Sequence, residues 1–491
     1  MNDLSHTQDS FDDPKPAAGD TPQRHQGGTP TFVIVPFFKD RPTKSHEREA
    51  EGRLQEACGL AQAIDLEVCG AEVVSLTEAK PATLLGSGKV DEFKLRFQEA
   101  GIELVIVDGP LSPVQQRNLE RAWHVKVLDR TGLILEIFGE RAQTREGRLQ
   151  VELAHLTYQK GRLVRSWTHL ERQRGGLGFI GGPGETQIEA DRRMIQERIE
   201  RIERHLDGVK RTRELHRKTR RAQPHPIIAL VGYTNAGKST LFNRLTRADV
   251  FAENLLFATL DPTMRSVTLP NGRQVIMSDT VGFISDLPTH LVAAFRATLE
   301  EVLEADIILH VRDIAHPETE SQKADVEQVL TSLGVDVTEG EVWSRKRPVI
   351  EVLNKIDLLS DAARLDVEAS SQRREGDRLA IPVSAQRGEG LDDLAALIEE
   401  VLSRDSVNLD LEIAPQDAEA TAWLYEHGAV LDRTETDEGS TRFWLRLSKA
   451  DLGRFQKRFP TLAAQADEHP AGRPEARPPE PDSATDTSWQ P

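Results

Sequence analysis

The chain has 491 residues, enough for about three domains at roughly 100–200 residues each. Its formal net charge of −18 excludes a protein coated all over in nucleic acid, though not one with a local basic face. Only two cysteines are present, Cys58 and Cys69, with no C-x-x-C pair, and there is no signal-peptide pattern and no apolar run near the ~18 residues of a membrane span. Both thiols read as small buried apolar residues of a protein in a reducing cytosol.

Residues 1–30 are polar and rich in Pro, Gly and Asp, and 461–491 are similar; both are expected to be disordered tails. Over 31–140 short apolar runs ("TFVIVPF", "LEVCGAEVVSL", "IELVIVDGP", "VKVLDR") alternate with helical patterns, which predicts a small α/β layer on a largely parallel sheet. Over 141–222 the period changes. Leu149, Leu153, Leu156, Leu163, Trp167 and Leu170 follow 4-3 spacing, with Lys160 at the one missing seam position. After the glycine-rich stretch "RGGLGFIGGPGE", Ile188, Ile195, Ile199, Ile202, Leu206 and Val209 resume it. Two heptad segments joined by a short loop predict an antiparallel helical hairpin. Residues 141–221 carry 20 Lys/Arg against 11 Asp/Glu, a basic arm in an acidic chain. A solvated coiled-coil face would account for that composition, and so would an arm that reaches folded RNA.

Strand–helix alternation returns over 223–404 with "IIALVG", "QVIMSD", "ADIILHV", "PVIEVLN" and "LAIPVSA", the pattern of a doubly wound, mostly parallel sheet. Residues 405–460 read β-α-β-β-α, a small α+β appendage.

The chemistry sits in the fourth segment. "GYTNAGKST" (Gly232, Tyr233, Thr234, Asn235, Ala236, Gly237, Lys238, Ser239, Thr240) lies directly between a strand and a helix, the setting a phosphate loop requires. Gly232 and Gly237 let the backbone curl so that N–H groups face the phosphates. Lys238 reaches the β- and γ-oxygens, and Ser239 offers a hydroxyl to Mg2+. A shorter "LLGSGKVDEF" (Leu84–Phe93) lacks the full spacing and the Ser/Thr, and reads as a turn capping a helix after Lys89. Asn354, Lys355, Ile356 and Asp357 form "NKID". Its aspartate can accept two hydrogen bonds from guanine N1–H and the 2-amino group, donors that adenine lacks, so GTP is favoured over ATP. Val383, Ser384 and Ala385 then supply backbone for the guanine oxygen. Asp279, Thr280, Val281 and Gly282 form the D-x-x-G turn, in which Asp279 touches the metal through water and the Gly282 N–H meets the γ-phosphate. Between these motifs Phe257, Ala258, Thr259, Leu260 and Asp261 fall where the first switch belongs, and either Thr259 or Thr263 could be a second magnesium ligand. Phe283 stands where small GTPases carry a water-orienting glutamine, so intrinsic hydrolysis is expected to be slow. No other cluster of Cys, His and carboxylates points to a second chemistry.

The ordered set "GYTNAGKST", "FATLDPT", "DTVGFISDLP", "NKID" and "VSA", preceded by "GPGETQIEADRR", resembles the HflX family of ribosome-associated GTPases over about residues 30–460. That resemblance implies a P-loop GTPase that binds the large ribosomal subunit through the 141–222 hairpin and splits or rescues stalled or idle ribosomes under stress; a monomer in the cytoplasm is expected. It also implies that Thr259 takes the switch role, and it lends support to ATP binding at "GSGK". Asn235 occupies the place where GTPases of the wider class help to hold K+ beside the phosphates; a residue that simply tolerates the loop backbone is the other reading. One departure is the Phe179-Ile180 pair, where the family's hairpin loop carries a Thr-Arg pair. A GTP-dependent binding switch for a protein effector is the competing function, and the basic hairpin argues against it.

Overall fold

The computed structural model describes residues 28–38, 50–173, 183–221, 225–247, 256, 257, 260, 262–270, 272–285, 296–335, 347–372, 379–403, 406–436 and 439–470. The first layer contains β1 (Pro30–Phe38), α1 (Ala50–Gln62), β2 (Glu67–Leu76), α2 (Ser87–Ala100), β3 (Leu104–Val107), α3 (Pro113–Trp123), β4 (Lys126–Asp129) and α4 (Arg130–Arg141). Its four strands are all parallel in the order β2-β1-β3-β4. The strand "LVIV" is buried throughout, as a strand covered on both faces must be. A capping box sets the start of α3: Ser112 accepts from the Gln115 N–H while the Gln115 side chain accepts from the Ser112 N–H. One face of the sheet is closed by aromatic rings. Phe93 stacks on Phe97 at 5.4 Å, and Trp123 stands edge-on to both. Such pairs contribute about 0.5–1.5 kcal/mol each beyond their area.

Two long helices follow, α5 (Arg145–Gln173) and α6 (Pro183–Arg221), packed against each other. Ile199, Ile202 and Leu206 are buried in the seam, and Lys160, at the gap in the heptads, donates to Gln196 across it. Trp167 and Leu170 fall on α5 and Ile188 on α6, while the loop residues Phe179 and Ile180 lie outside the described residues. Besides its seam, α5 has a second packed face, which the heptads do not reveal. Val151 and Ala154 are buried with α4 in the core shared by the first two sheets, and the Tyr158 hydroxyl and Arg162 reach Asp129 at the end of β4, each at 2.5 Å.

The second sheet runs β10-β9-β8-β5-β7-β6, parallel except for β6. In chain order its elements are β5 (Ile227–Gly232), α7 (Lys238–Thr246), β6 (Thr263–Thr268), β7 (Gln274–Asp279), α8 (Arg296–Glu304), β8 (Ile307–Asp313), α9 (Thr319–Ser332), β9 (Val349–Asn354), α10 (Asp361–Gln372), β10 (Leu379–Pro382) and α11 (Leu391–Ser403). The edge strand β6, "TMRSVT", was not among the expected strands. It is half-exposed and polar, and its hydrogen-bonded partner β7 holds it in place. The first two sheets share one core in which Val33, Leu60 and Phe138 meet Val231, Phe283 and Ile308.

The last domain is an antiparallel sheet, β12-β13-β11-β14. Its elements are β11 (Ser406–Ile413), α12 (Ala418–His427), β12 (Ala429–Glu435), β13 (Thr441–Ser448), α13 (Lys449–Arg458), α14 (Pro460–Ala463) and β14 (Asp467–Pro470). Here the expected tail from 461 is corrected, because the chain stays structured through Pro470. The segment "DEHP" has no apolar pattern to announce a strand, yet its backbone pairs with β11. Arg446, buried in this sheet, donates to Glu399 of α11 at 2.7 Å and to Asn408 at 3.1 Å, which ties the domain to its neighbour.

Candidate nucleotide site

The phosphate loop leaves β5 at Gly232 and enters α7 at Lys238, and its glycines are required by space as well as by angle. At Gly232 (φ +153°) a Cβ would stand 2.2 Å from the Val311 carbonyl oxygen; at Gly237 (φ +91°) it would stand 2.2 Å from Asn354 Nδ2. Asn235 is exposed and also adopts a left-handed φ, +59°, a conformation that asparagine tolerates. Lys238 is buried, and its Nζ donates to the carbonyls of Gly232 at 3.2 Å and Tyr233 at 2.8 Å. Burial brings its pKa down to about 8, against the opposing pull of Asp279.

Asp279 ends β7 beside this loop, and Ser239 Oγ donates to its Oδ2 at 2.7 Å. The hydroxyl and the carboxylate that a magnesium site of this class uses therefore already meet, and the donor set fits the ion. Thr280 Oγ1 donates to the Leu230 carbonyl at 2.6 Å, fixing the turn to β5. Gly282 lies against the loop, where a Cβ would be 2.8 Å from Thr234 Cγ2 and 3.0 Å from Lys238 Nζ. Phe283 is fully buried and forms a parallel bridge with Tyr233: its N–H donates to the Gly232 carbonyl at 3.1 Å, and its carbonyl accepts from the Thr234 N–H at 2.8 Å. A ring so placed packs; it does not orient water.

The base-reading end is braced to the phosphate end. Asn354 Nδ2 donates to the Ala236 carbonyl at 2.8 Å, while its Oδ1 accepts from the Ala385 N–H at 3.0 Å. Lys355, at φ +69°, pairs with Asp313 at 2.8 Å, and Ile356 is buried. Ser384 Oγ donates to Asp357 Oδ1 at 2.7 Å and accepts from the Arg387 N–H at 3.1 Å, so the loop holding Val383 orients the aspartate. Arg244 of α7 adds a brace through the carbonyls of Ala385 (3.2 Å) and Gln386 (2.6 Å).

Three expected site residues, Ala258, Thr259 and Asp261, lie outside the described residues. Phe257 and Leu260, expected in the first switch, have their side chains buried in the shared core, Phe257 edge-on to Phe138 at 4.8 Å. Thr263 opens β6 opposite Asp279. At "GSGK", α2 begins at Ser87, and Lys89 sits in its first turn paired with Glu72 and Glu92, each at 2.7 Å. The Tyr233 hydroxyl leaves the phosphate side and donates to Glu56 of α1. No motif spacing marks that contact.

A phosphate loop, a D-x-x-G turn laid on it and an N-K-x-D aspartate held by the following loop, all along one edge of a doubly wound sheet, define a P-loop GTPase. The family models locate it further. Residues 51–139 match GTP-binding GTPase N-terminal, 141–220 GTP-binding GTPase Middle Region, 227–355 50S ribosome-binding GTPase, and 369–469 HflX C-terminal domain. A Magnetococcus marinus protein named GTPase HflX is 49% identical over 403 residues, covering 82% of this chain and 90% of that one. The protein of the same name from Escherichia coli (strain K12) is 40% identical over 440 residues, covering 89% and 98%. The chain belongs to the HflX family of GTPases.

Proposed function

We propose that this GTPase binds the large ribosomal subunit through its α5–α6 hairpin and splits or rescues stalled or idle ribosomes under stress. The observation that carries this reading is the hairpin segment, residues 141–221, whose 20 Lys/Arg against 11 Asp/Glu stand in a chain of net charge −18. At 1.5 Å per residue the 39 residues of α6 extend about 58 Å, long enough to reach well into a folded RNA. Phosphate contacts dominate such affinity. The match of residues 227–355 to the 50S ribosome-binding GTPase family supports the same partner.

In the working cycle Asp357 selects guanine, Lys238 neutralises the β- and γ-phosphates, and Gly282 presents its N–H to the γ-phosphate. Ser239, with Thr259 and with Asp279 through water, would hold a magnesium ion, which would supply charge neutralisation for the phosphates. Asn235, exposed on the loop, is the residue to help hold K+, a cation that offsets charge as an arginine finger does in other GTPases. With Phe283 packed, water is ordered by backbone groups and by the partner, so basal hydrolysis is slow and ribosomal particles accelerate it. The protein acts as a monomer.

Co-sedimentation with purified large subunits, in a non-hydrolysable GTP analogue and in GDP, tests the reading. Binding should be stronger with the analogue, fall steeply with salt, and weaken when Gly175–Gly184 are deleted while GDP affinity stays unchanged. No binding to subunits in either nucleotide would leave the protein-effector switch as the better account.

A further inference from the structure

The D-x-x-G turn is gripped from outside its own domain. Ser285, three residues past Gly282, has its N–H, carbonyl and hydroxyl all engaged. The N–H donates to the Tyr233 hydroxyl at 2.8 Å. Its carbonyl and Oγ accept from Arg130 Nη2 at 3.1 and 2.9 Å, and Oγ donates to Glu56 Oε1 at 3.1 Å. Tyr233, from the phosphate loop, donates to the other oxygen of Glu56. Arg130 and Glu56 both come from the first α/β layer, from α4 and α1. Arg130 is buried and is also paired with Asp108, whose Oδ2 accepts from Arg53 at 3.1 Å. Two guanidinium groups and two carboxylates thus balance within one cluster, and its hydrogen bonds to Ser285 and Tyr233 reach the nucleotide site.

We propose that Arg130 and Glu56 are positioning residues which, acting through Ser285, set the preference of the site for GTP over GDP. The geometry gives the direction. While Ser285 is gripped, the Phe283 carbonyl takes the Thr234 N–H and Gly282 lies against Lys238 Nζ. A γ-phosphate competes for both the lysine and the turn, so GTP must displace this arrangement. GDP has no γ-phosphate and leaves it alone. A contact that stabilises one arrangement of the turn therefore weakens only the nucleotide that needs another. Loosening the grip should favour GTP selectively.

The full chain, with Mg2+ present, is titrated with GDP and with a non-hydrolysable GTP analogue in the wild type, Arg130→Lys, Ser285→Ala and the double variant. Arg130→Lys keeps the charge but loses the planar fork. Ser285→Ala removes only the hydroxyl, which keeps the test open should Arg130→Lys not fold. Each single variant should raise analogue affinity relative to GDP about fivefold, with GDP affinity itself within about twofold of wild type. The double variant should add less than about twofold, because both changes act through one contact. Equal weakening of both nucleotides would mean that the cluster only holds the domains together. An unchanged ratio, or fully additive effects, would also overturn the proposal.

Discussion

Asn354 and Ala236 join the two ends of the nucleotide site directly: the Asn354 side chain donates at 2.8 Å to a carbonyl of the phosphate loop, 118 residues earlier in the chain. The same side chain accepts from Ala385 on the base loop. Asn354→Ala therefore leaves a buried carbonyl and a buried N–H without partners, at about 1–3 kcal/mol each. Urea unfolding should show a loss of about 2–6 kcal/mol, and affinity for GDP should drop alongside it. A variant with wild-type affinity would show that the two loops keep their geometry without the brace.

Asp357→Asn exchanges acceptor for donor at the base. Preference should pass from GTP toward xanthosine triphosphate, with a loss of GTP affinity of about a hundredfold or more, since two charge-assisted bonds are removed. Competition binding with the two triphosphates measures it. Unchanged GTP affinity would take Asp357 out of base selection.

Nucleotide affinity should depend on pH through Lys238. Its free-state pKa of about 8 is low because the ammonium is buried. Bound phosphates favour the ammonium, so binding takes up a proton wherever the free lysine is neutral. Affinity is then full below pH 8 and falls as pH rises above it, by up to about tenfold per unit. Calorimetry in buffers of different ionisation enthalpy reports that uptake. Lys238→Met should bind weakly and without this slope, and a flat wild-type profile would place the proton elsewhere.

Acid stability should depend on His310. It sits in the centre of the second sheet, and burial pushes its pKa down to about 3, only partly opposed by Glu351. The folded protein keeps the ring neutral over a range in which the unfolded chain protonates it. Stability is therefore complete above about pH 6.5 and is lost as the pH falls toward 3, by up to about 1.4 kcal/mol per unit. His310→Gln should flatten that part of the urea-midpoint profile between about pH 6.5 and 5. Parallel profiles in the two proteins would assign the acid sensitivity to other groups.

The parts of the site that could be read in the sequence are those with local physical causes. Gly232 and Gly237 stand where any side chain collides with backbone or with Asn354, so their spacing carries the loop's geometry. The 4-3 leucine and isoleucine spacing announced the hairpin, and even its gap at Lys160 has a partner in Gln196. Edge strands such as β6 and β14 stayed hidden, because polar residues held by backbone pairing leave no periodic mark. Phe257 lies in a stretch that looks like a switch, and no local pattern marks the packing of its ring in the shared core against Phe138. Arg130 and Ser285 lie 155 residues apart, and no pattern in one chain links a lone arginine to a lone serine.

The hairpin's second attachment gives the chain a mechanical property. Asp129 holds Tyr158 and Arg162 of α5, and the very next residue, Arg130, holds Ser285. Consecutive Cα atoms are about 3.8 Å apart across a rigid peptide plane. The long arm and the nucleotide turn are thus hinged on a single link of main chain. Torque on α5 that drags Asp129 has one residue of slack before it reaches the guanidinium on the other side.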